Sequence, residues 1–391
     1  MITYKYKLYK TDKTKYLDKM LAEACFVWNH ALALQKRYYR LYGGYIPLYT
    51  MQKHQSKRGK RCLLSAMAVQ EIIERLDKSY KRFFNRIAKR PPKFKKTKDF
   101  SSIVFKGVCN QGQWSVNVCN LKDNSILFVL LGKSFKYHKS RQYEGIIKRV
   151  ILYRDHTGEY YIFVVTDAET KKYGKTHNGA SVGIDFGLKT YLTLSDGTRY
   201  ENPQFMKSTF IELHCKQRTM DKCKNGSNNR ERKRKELGRI WNDICNKRSD
   251  FQWNLAHQLC RKYDHIFVED LDLKEMRNMK RFGRKLKDLD HSGFILKLEY
   301  IATKYDVVVH KINRYYPSSM TCTCGYVNKE LRLSDRKWVC PHCGAVHDRD
   351  LLAANNILRR GIYELESNSK TLKHSADGQL RYYPTITRII A

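Results

Sequence analysis

One acidic residue stands inside an apolar, strand-like run, and this placement restricts the fold more than any other feature of the sequence. Asp185 follows Val182 and Ile184, precedes Phe186, and leads into a second strand-like run at 190–194. A carboxylate among residues that favour a buried strand is costly unless another group pairs with it. We therefore expect Asp185 to belong to a site that supplies its partner.

Two further acidic sets extend this pattern. Glu269 and Asp270 end the apolar run 266–268, and Asp348 and Asp350 stand at the start of a predicted helix. Singly, each has an ordinary explanation, such as a helix N-cap or an exposed strand end. Together with Asp185 they lie on elements that alternate as in an α/β domain. Because like charges repel, a site that gathers three carboxylates favours a divalent cation, and oxygen ligands select Mg²⁺ or Mn²⁺. Two such ions can hydrolyse a phosphodiester. The pattern does not choose between Asp348 and Asp350.

A cluster of cysteines predicts a second metal site. The segment "CTCGYVNKELRLSDRKWVCPHCG" carries four of the chain's 12 cysteines, Cys322, Cys324, Cys340 and Cys343. The second pair forms C-P-H-C-G, a zinc knuckle, whereas the first is a shorter C-x-C. We expect one structural Zn²⁺ on the four thiolates, with His342 or His347 as substitute ligands; the alternative is two unlinked thiol pairs. The other cysteines are scattered singly, which indicates reduced thiols and a cytosolic protein.

The charge of the chain indicates a polyanionic partner. Lys and Arg number 76 against 38 Asp and Glu, a net charge of +38, and nucleic acid is the usual partner of so basic a protein. The alternative is a solvated lysine-rich surface. In "KRPPKFKKTK" (89–98), four cations surround Phe94 and suit phosphate contacts, although a plain basic linker is equally compatible; they are Arg90, Lys93, Lys95 and Lys96. The sequence has no apolar run of membrane-spanning length and no secretory signal at its start.

The hydrophobic period divides the chain into regions. An edge strand is predicted at 2–9, helices from 14 to 90, and a β-rich region at 100–168 that suggests a small barrel. Its strand runs are "GQWSVNV", "SILFVLL" and a hairpin that turns at 155–158. A polar linker follows at 169–179, and residues 205–262 are again helical and basic.

The motifs in combination resemble one family. "VGIDFG", "IFVEDLDL" and "CGAVHDRDLLAANNIL" are similar to the three motifs of the RuvC-like nuclease domain of TnpB proteins, which are RNA-guided DNA nucleases of bacterial insertion sequences and relatives of compact type V CRISPR effectors. The resemblance covers nearly the whole chain and includes "RPPKFKK", "NKRSDFQWNLAHQL" and "YYPSSMTC".

The resemblance implies roles for particular residues. The catalytic carboxylates would be Asp185, Glu269 and Asp350, because the family pattern D-R-D places catalysis on its second aspartate. Arg336 matches a family arginine and is a candidate contact to DNA phosphate, the alternative being an ordinary surface arginine. The chain departs from the pattern at Leu352, where the family has asparagine, and at the shortened C-x-C. Asn356 matches a later asparagine.

The predicted fold class is a multidomain α/β protein. We expect a β-barrel wedge at 1–13 and 91–168 and a helical recognition lobe at 14–90. A RuvC-like nuclease of RNase H fold would occupy 180–315 and 348–362, with a zinc-ribbon insert at 316–347 and a disordered tail at 363–391. The resemblance implies a guide RNA and a double-stranded DNA target with a short adjacent motif as partners. It also implies two Mg²⁺ (or Mn²⁺) ions at the nuclease site and location in the prokaryotic cytosol or nucleoid.

Three alternatives remain at this point. One is a guide-dependent DNA-binding repressor with an impaired nuclease, which Leu352 leaves open. The second is a compact CRISPR effector, which an adjacent repeat array would reveal. The third, a DNA-strand transposase, finds little support, because no tyrosine or serine recombinase motif is present.

Overall fold

The computed structural model describes residues 1–57, 63–106, 119–173, 179–270, 286, 288–332 and 335–372, the last five by their backbone alone. The chain forms two compact units. The first contains Met1–Thr170 and Lys216–Arg239, and the second contains Lys171–Cys215 and Ile240–Ala391. The sequence prediction had assigned residues 216–239 to the nuclease region. In the structure they pack with the first unit, where Arg234 donates to the His156 carbonyl at 2.8 Å.

The first unit begins with a strand and three helices. Strand β1 is Ile2–Lys7, and the helices α1, α2 and α3 are Thr14–Tyr42, Leu48–Lys57 and Ala66–Phe84. Helix α1 ends at Gly43, whose φ of 64° lies in the left-handed region that glycine tolerates. Helix α3 begins after Ser65, whose hydroxyl caps the Ala68 N–H.

Short strands make up the rest of this unit. They are β2 (Ser102–Lys106), β3 (Cys119–Leu121), β4 (Ser125–Phe128), β5 (Lys133–Lys136), β6 (Ile147–Arg154) and β7 (Tyr160–Thr166), with 3₁₀ turns at Thr97–Asp99 and Val129–Leu131. One antiparallel sheet has the order β1-β7-β6-β2, and a second has the order β3-β4-β5. The predicted edge strand and the predicted hairpin, β6–β7, are confirmed.

Two predictions for this region need correction. The run "SILFVLL" forms a strand only to Phe128 and then turns in a 3₁₀ helix that ends at Gly132. The described strands form two sheets, joined by a bridge between Leu8 and Tyr137, and do not establish a closed barrel. The predicted strand "GQWSVNV" lies outside the described residues. Helices and strands share one hydrophobic core, which includes Leu21 and Val164.

The second unit is built on a five-stranded sheet. Its strands are β8 (Ser181–Phe186), β9 (Thr190–Leu194), β10 (Arg199–Glu201), β11 (His265–Glu269) and β12 (Val308–Ile312), in the order β10-β9-β8-β11-β12. Strands β8, β9 and β10 are antiparallel neighbours, whereas β8, β11 and β12 run parallel. A separate two-stranded ribbon consists of β13 (Lys337–Val339) and β14 (Val346–Asp348).

Helices α4 (Phe210–Asp221) and α5 (Asn228–Lys262) are divided between the two units, and α6 (His291–Tyr305) and α7 (Arg349–Leu372) belong to the second. Helix α7 corrects the predicted disordered tail, because residues 363–372 continue the helix; 373–391 lie outside the described residues. Within the described part of the chain, every helix is too short or too polar to span a membrane.

Candidate active site and cysteine cluster

Two of the predicted carboxylates leave the sheet at the same edge. Strands β8 and β11 are parallel neighbours in which Ile184 pairs with Val268. Asp185 and Glu269 are the next residues on the two strands, and both are half-buried. The carboxyl ends of adjacent parallel strands are where α/β proteins place their sites.

The third carboxylate is delivered by helix α7, which approaches the sheet closely at two glycines. A Cβ on Gly183 would overlap the carbonyl oxygen of Ala354, and a Cβ on Gly361 would overlap the ring of Phe267. Only glycine permits such contact between a helix and a strand. Asp350 lies in the first turn of α7, one turn before Ala354.

The electrostatics of Asp185 reflect this arrangement. Burial first, and then the charges of Glu269 and Asp350, raise the pKa of Asp185 to about 8 against the opposing effect of Arg349 and Arg336. Two neighbouring carboxylates disfavour a third negative charge. The structure therefore brings together the three carboxylates that the sequence singled out.

Glu269 and Asp350 each have a partner on the segment between β12 and α7. The Ser318 hydroxyl donates a short hydrogen bond to Oε1 of Glu269. Burial raises the pKa of Glu269, and this hydrogen bond opposes the rise. Arg336 Nη1 lies 3.0 and 3.2 Å from the two carboxylate oxygens of Asp350. Arg336, predicted as a phosphate contact, thus lies beside a candidate catalytic carboxylate.

The neighbouring aspartates have structural partners instead. Asp270 pairs with Arg314 at 2.9 Å. Asp348 accepts the Leu351 N–H at 3.1 Å and pairs with Arg199 at 2.9 Å. Partial burial opposes ionisation of Asp348, but the Leu351 N–H and Arg199 hold its pKa below the ordinary value. The capping role that the sequence left open therefore falls to Asp348.

The donor set of the three carboxylates fits hard divalent cations, although the three do not converge on one point. Among the described residues, the four cysteines form the group whose ligand atoms all lie within 4.8 Å of one another, and the three carboxylates do not form such a group. A two-ion site is wider than a single chelate, because its ions lie about 4 Å apart. Half-buried Asp185 and Glu269, with raised pKa values, are groups whose ionisation a bound cation would favour.

The four cysteines do converge, and their four sulfur atoms all lie within 4.8 Å of one another. Cys322 Sγ lies 3.6 Å from Cys343 Sγ, and Cys324 Sγ lies 3.7 Å from Cys340 Sγ. These separations exclude disulfides, whose S–S length is about 2.05 Å. They match the edge of roughly 3.8 Å of a tetrahedron with Zn–S bonds of about 2.3 Å. The alternative of two unlinked thiol pairs is therefore wrong.

The shortened C-x-C forms a turn like that of the longer knuckle. The Gly325 N–H donates to the Cys322 carbonyl at 3.0 Å, and the Gly344 N–H donates to the Cys340 carbonyl at 2.9 Å. Both glycines have positive φ, 91° and 74°. The turn is thus intact although C-x-C is one residue shorter than C-x-x-C, and all four sulfur atoms belong to one cluster.

The two histidines considered as substitutes occupy different places. His347 is buried, with Nε2 at 3.0 Å from Cys322 Sγ. Burial opposes ionisation of Cys322, but the Cys324 backbone N–H and His347 lower its pKa to about 5. His342 is exposed and stacks with Tyr326. His347 therefore favours the thiolate form of Cys322 through this contact and lies outside the group of four sulfurs.

Two residues of α7 that were compared with the family pattern, Leu352 and Asn356, have definable structural roles. Leu352 is buried in a small core with Cys322, Trp338 and Cys340. Asn356 is buried and donates to the carbonyls of Ser318 at 2.8 Å and Thr321 at 2.6 Å. Sequence reasoning missed Ser318; the signal available was its place in "YYPSSMTC", between a strand and the first cysteine.

The basic segment 89–98 lies along helix α1 in the first unit. Arg90, Lys93 and Lys96 are exposed. The Lys95 ammonium is half-buried at 4.3 Å from the ring centroid of Trp28, and burial lowers its pKa. Asn29 of α1 donates to the Lys95 carbonyl and accepts from its N–H, at 2.8 and 2.9 Å. The segment is thus a fixed strip that presents three of its four predicted cations to solvent.

Two family models match the sequence, mostly within the second unit. "OrfB_IS605: Probable transposase" matches residues 163–280, and "Cas12f1-like, TNB domain" matches residues 291–357. The second match includes Ser318, the four cysteines and Asp350.

Curated relatives match over longer stretches. A "Putative RNA-guided DNA endonuclease" of Streptomyces pristinaespiralis is 33% identical over 214 residues, 54% of this chain and 52% of that protein. The chain therefore aligns with about half the length of that relative. The "Putative RNA-guided DNA endonuclease InsQ" of Escherichia coli (strain K12) is 27% identical over 366 residues, 88% of each chain.

The fold is also found among solved structures. The structure of a Cas12f1–sgRNA–target DNA complex has a TM-score of 0.55 at 14% identity, covering 89% of this chain and 83% of that chain. With its cysteine cluster, the chain is thus a mixed α/β multidomain protein with a Cas12f-like fold. Within this class, the chain is similar to the IS605 OrfB (TnpB) proteins over residues 163–280.

Proposed function

We propose that this protein is an RNA-guided DNA endonuclease of an IS605-type insertion sequence. In this proposal a guide RNA encoded by the element pairs with one strand of a double-stranded target that carries a short adjacent motif. The second unit then cuts the opened DNA by metal-dependent hydrolysis of a phosphodiester. Its target places the protein in the prokaryotic cytosol or nucleoid. The match to the IS605 OrfB family model over residues 163–280 and the names of the curated relatives support this reading.

The observation that carries the proposal is the close contact of helix α7 with β8 beside Asp185, together with the electrostatic influence of Glu269 and Asp350 on Asp185. The strand order β10-β9-β8-β11-β12, with three antiparallel strands followed by two parallel ones, agrees with the predicted RNase H-type nuclease. The three carboxylates are the candidate ligands of two Mg²⁺ or Mn²⁺ ions. Ions held there would supply the activation of an attacking water and the stabilisation of the leaving oxygen.

The side chains around the site have definable tasks in this mechanism. Without a cation, Asp185 retains a proton near neutral pH, because its pKa is about 8. The guanidinium of Arg336, 51% exposed, neutralises Asp350 and can also meet a DNA phosphate. We assign Zn²⁺ on the four cysteines a structural task, since it holds the ribbon that carries Arg336.

The first unit is the proposed guide-binding part. The net charge of the whole chain, +38, supplies the sequence-independent attraction to phosphates, and base pairing supplies the specificity. Exposed Arg90, Lys93 and Lys96 on the strip along α1 are its candidate phosphate contacts.

The nuclease-impaired repressor rested on Leu352, and the structure gives this residue another reading. Leu352 packs against the buried cysteines and Trp338, so the apolar side chain contributes to the core of the ribbon. The three carboxylates are all retained. We therefore favour an active nuclease over the repressor.

The test is cleavage of a plasmid target by the purified complex with its guide RNA in Mg²⁺. Alanine at Asp185, Glu269 or Asp350 is expected to lower the cleavage rate by several orders of magnitude while target binding persists. Asp348→Ala is the matched control, because Asp348 caps α7 and pairs with Arg199. It is expected to cost far less activity than Asp350→Ala.

Two results would reject the proposal. Strong guided cleavage by Asp185→Ala would remove the carboxylate site from the mechanism. A wild-type complex that binds its target in Mg²⁺ without cutting it would favour the repressor instead.

A further inference from the structure

The hydroxyl of Ser318 is positioned to control one carboxylate of the nuclease site. It lies in the turn 317–321 that joins β12 to the cysteine cluster, and it donates to Oε1 of Glu269. Ser318 as a residue is only 6% exposed, so water does not compete freely for this bond. The bond occupies one oxygen of Glu269 and leaves Oε2 for a metal ion.

The turn that carries Ser318 is held from several directions. The Met320 N–H and the Thr321 hydroxyl donate to the Pro317 carbonyl at 3.1 and 2.8 Å. The buried amide of Asn356 donates to the carbonyls of Ser318 and Thr321 at 2.8 and 2.6 Å. Thus the turn itself is fixed to the same helix that delivers Asp350.

We propose that Ser318 is a positioning residue that orients Glu269 for metal binding, with Asn356 holding the turn in place. This inference rests on the proposed nuclease function and extends it, since neither residue is a ligand in the predicted site. Groups that hydrogen-bond to the ligands of a metal ion orient those ligands, and their loss lowers metal affinity by about 10- to 100-fold.

A purely structural role would show itself differently. If Ser318 only stabilised the turn, its loss would lower the unfolding temperature and leave metal affinity unchanged. A positioning role predicts the opposite, namely weaker binding of the cation with the fold and the zinc content preserved.

The experiment is Mn²⁺ titration into the zinc-loaded protein, followed by electron paramagnetic resonance, for wild type, Ser318→Ala and Ser318→Thr. We expect Ser318→Ala to bind Mn²⁺ about 10-fold more weakly and Ser318→Thr to retain most of the affinity. Guided cleavage by Ser318→Ala should recover when the Mg²⁺ concentration is raised. Ser367→Ala is the control, because this hydroxyl lies on α7, 17 residues after Asp350, and donates to the Tyr363 carbonyl at 2.8 Å.

The outcomes separate this inference from the function on which it rests. Equal Mn²⁺ affinity in wild type and Ser318→Ala, together with lost affinity in Glu269→Ala, would overturn the role of Ser318 and leave the nuclease site standing. A wild-type protein that binds no Mn²⁺ and cuts no guided target would overturn both.

Discussion

Gly183 of β8 and Ala354 of α7 meet through their backbones, and a side chain at Gly183 would overlap the Ala354 carbonyl. Gly183 lies two residues before Asp185, and Ala354 lies one helical turn after Asp350. The contact therefore sets the distance between a strand carboxylate and a helix carboxylate.

Substituting this glycine is expected to damage stability and activity together. Gly183→Ala must displace α7 or the strand, and overpacking of this kind costs about 3 kcal/mol. Thermal unfolding and guided cleavage should both decline. Gly44→Ala is the control, because its added Cβ would meet nothing closer than 3.4 Å. A fully active Gly183→Ala protein of unchanged stability would contradict the close contact.

The cysteine cluster should retain zinc through purification. We expect about one Zn²⁺ per chain by elemental analysis, since four thiolates form a closed structural site. Cys340→Ser should lose the metal and lower the unfolding temperature. The exposed Cys245 lies outside the cluster, so Cys245→Ser should keep it. Zinc-free wild-type protein would rule out the ribbon as assigned.

The affinity for guide RNA should fall steeply with salt, because each neutralised phosphate releases counterions. Replacing Arg90, Lys93 and Lys96 together with glutamine should weaken binding and reduce the log–log salt slope by roughly three. Lys95→Gln should instead lower stability, since its ammonium packs on Trp28. RNA binding measured across a salt series would distinguish the triple variant from Lys95→Gln. A wild-type affinity that does not change with salt concentration would refute the electrostatic interpretation.

His291 should make the fold sensitive to acid. Burial lowers its pKa to about 4, below the ordinary value of 6.5, and its ring packs 4.9 Å from that of Phe186. Between pH 6.5 and 4 the unfolded chain binds a proton that the folded protein does not, so the free energy of unfolding falls as the pH falls.

The effect can be isolated by substitution. His291→Phe should remove up to about 3 kcal/mol of this pH dependence in thermal or denaturant unfolding between pH 7 and pH 4. Loss of zinc in acid affects both proteins, so the difference between them reports the histidine. The exposed His214, changed to Gln, serves as control; identical pH profiles for wild type and His291→Phe would exclude the assignment.

Much of the architecture was accessible from local patterns. The alternation at residues 2–9, the hairpin at 155–158 and the helix that begins near Asp350 follow from periodicity and turn chemistry, which neighbouring residues determine. The three acidic sets were also visible, because carboxylates beside apolar strands and at a helix start stand out in the sequence. The choice of Asp350 over Asp348 came from the family resemblance. In "SILFVLL" the strand prediction extended too far, because residues 129–131 form a 3₁₀ turn that ends at Gly132.

The sequence by itself determined which residues could form the two sites, since residue type and spacing select oxygen or sulfur ligands. Only the tertiary structure decided which groups meet. Asp348 and Asp350 are equivalent in the sequence, yet one contacts Arg199 and the other Arg336. The contacts between the two cysteine pairs and the bond from Ser318 to Glu269 join residues far apart in the chain. Such contacts depend on how helices and strands pack, and local periodicity carries no record of that packing.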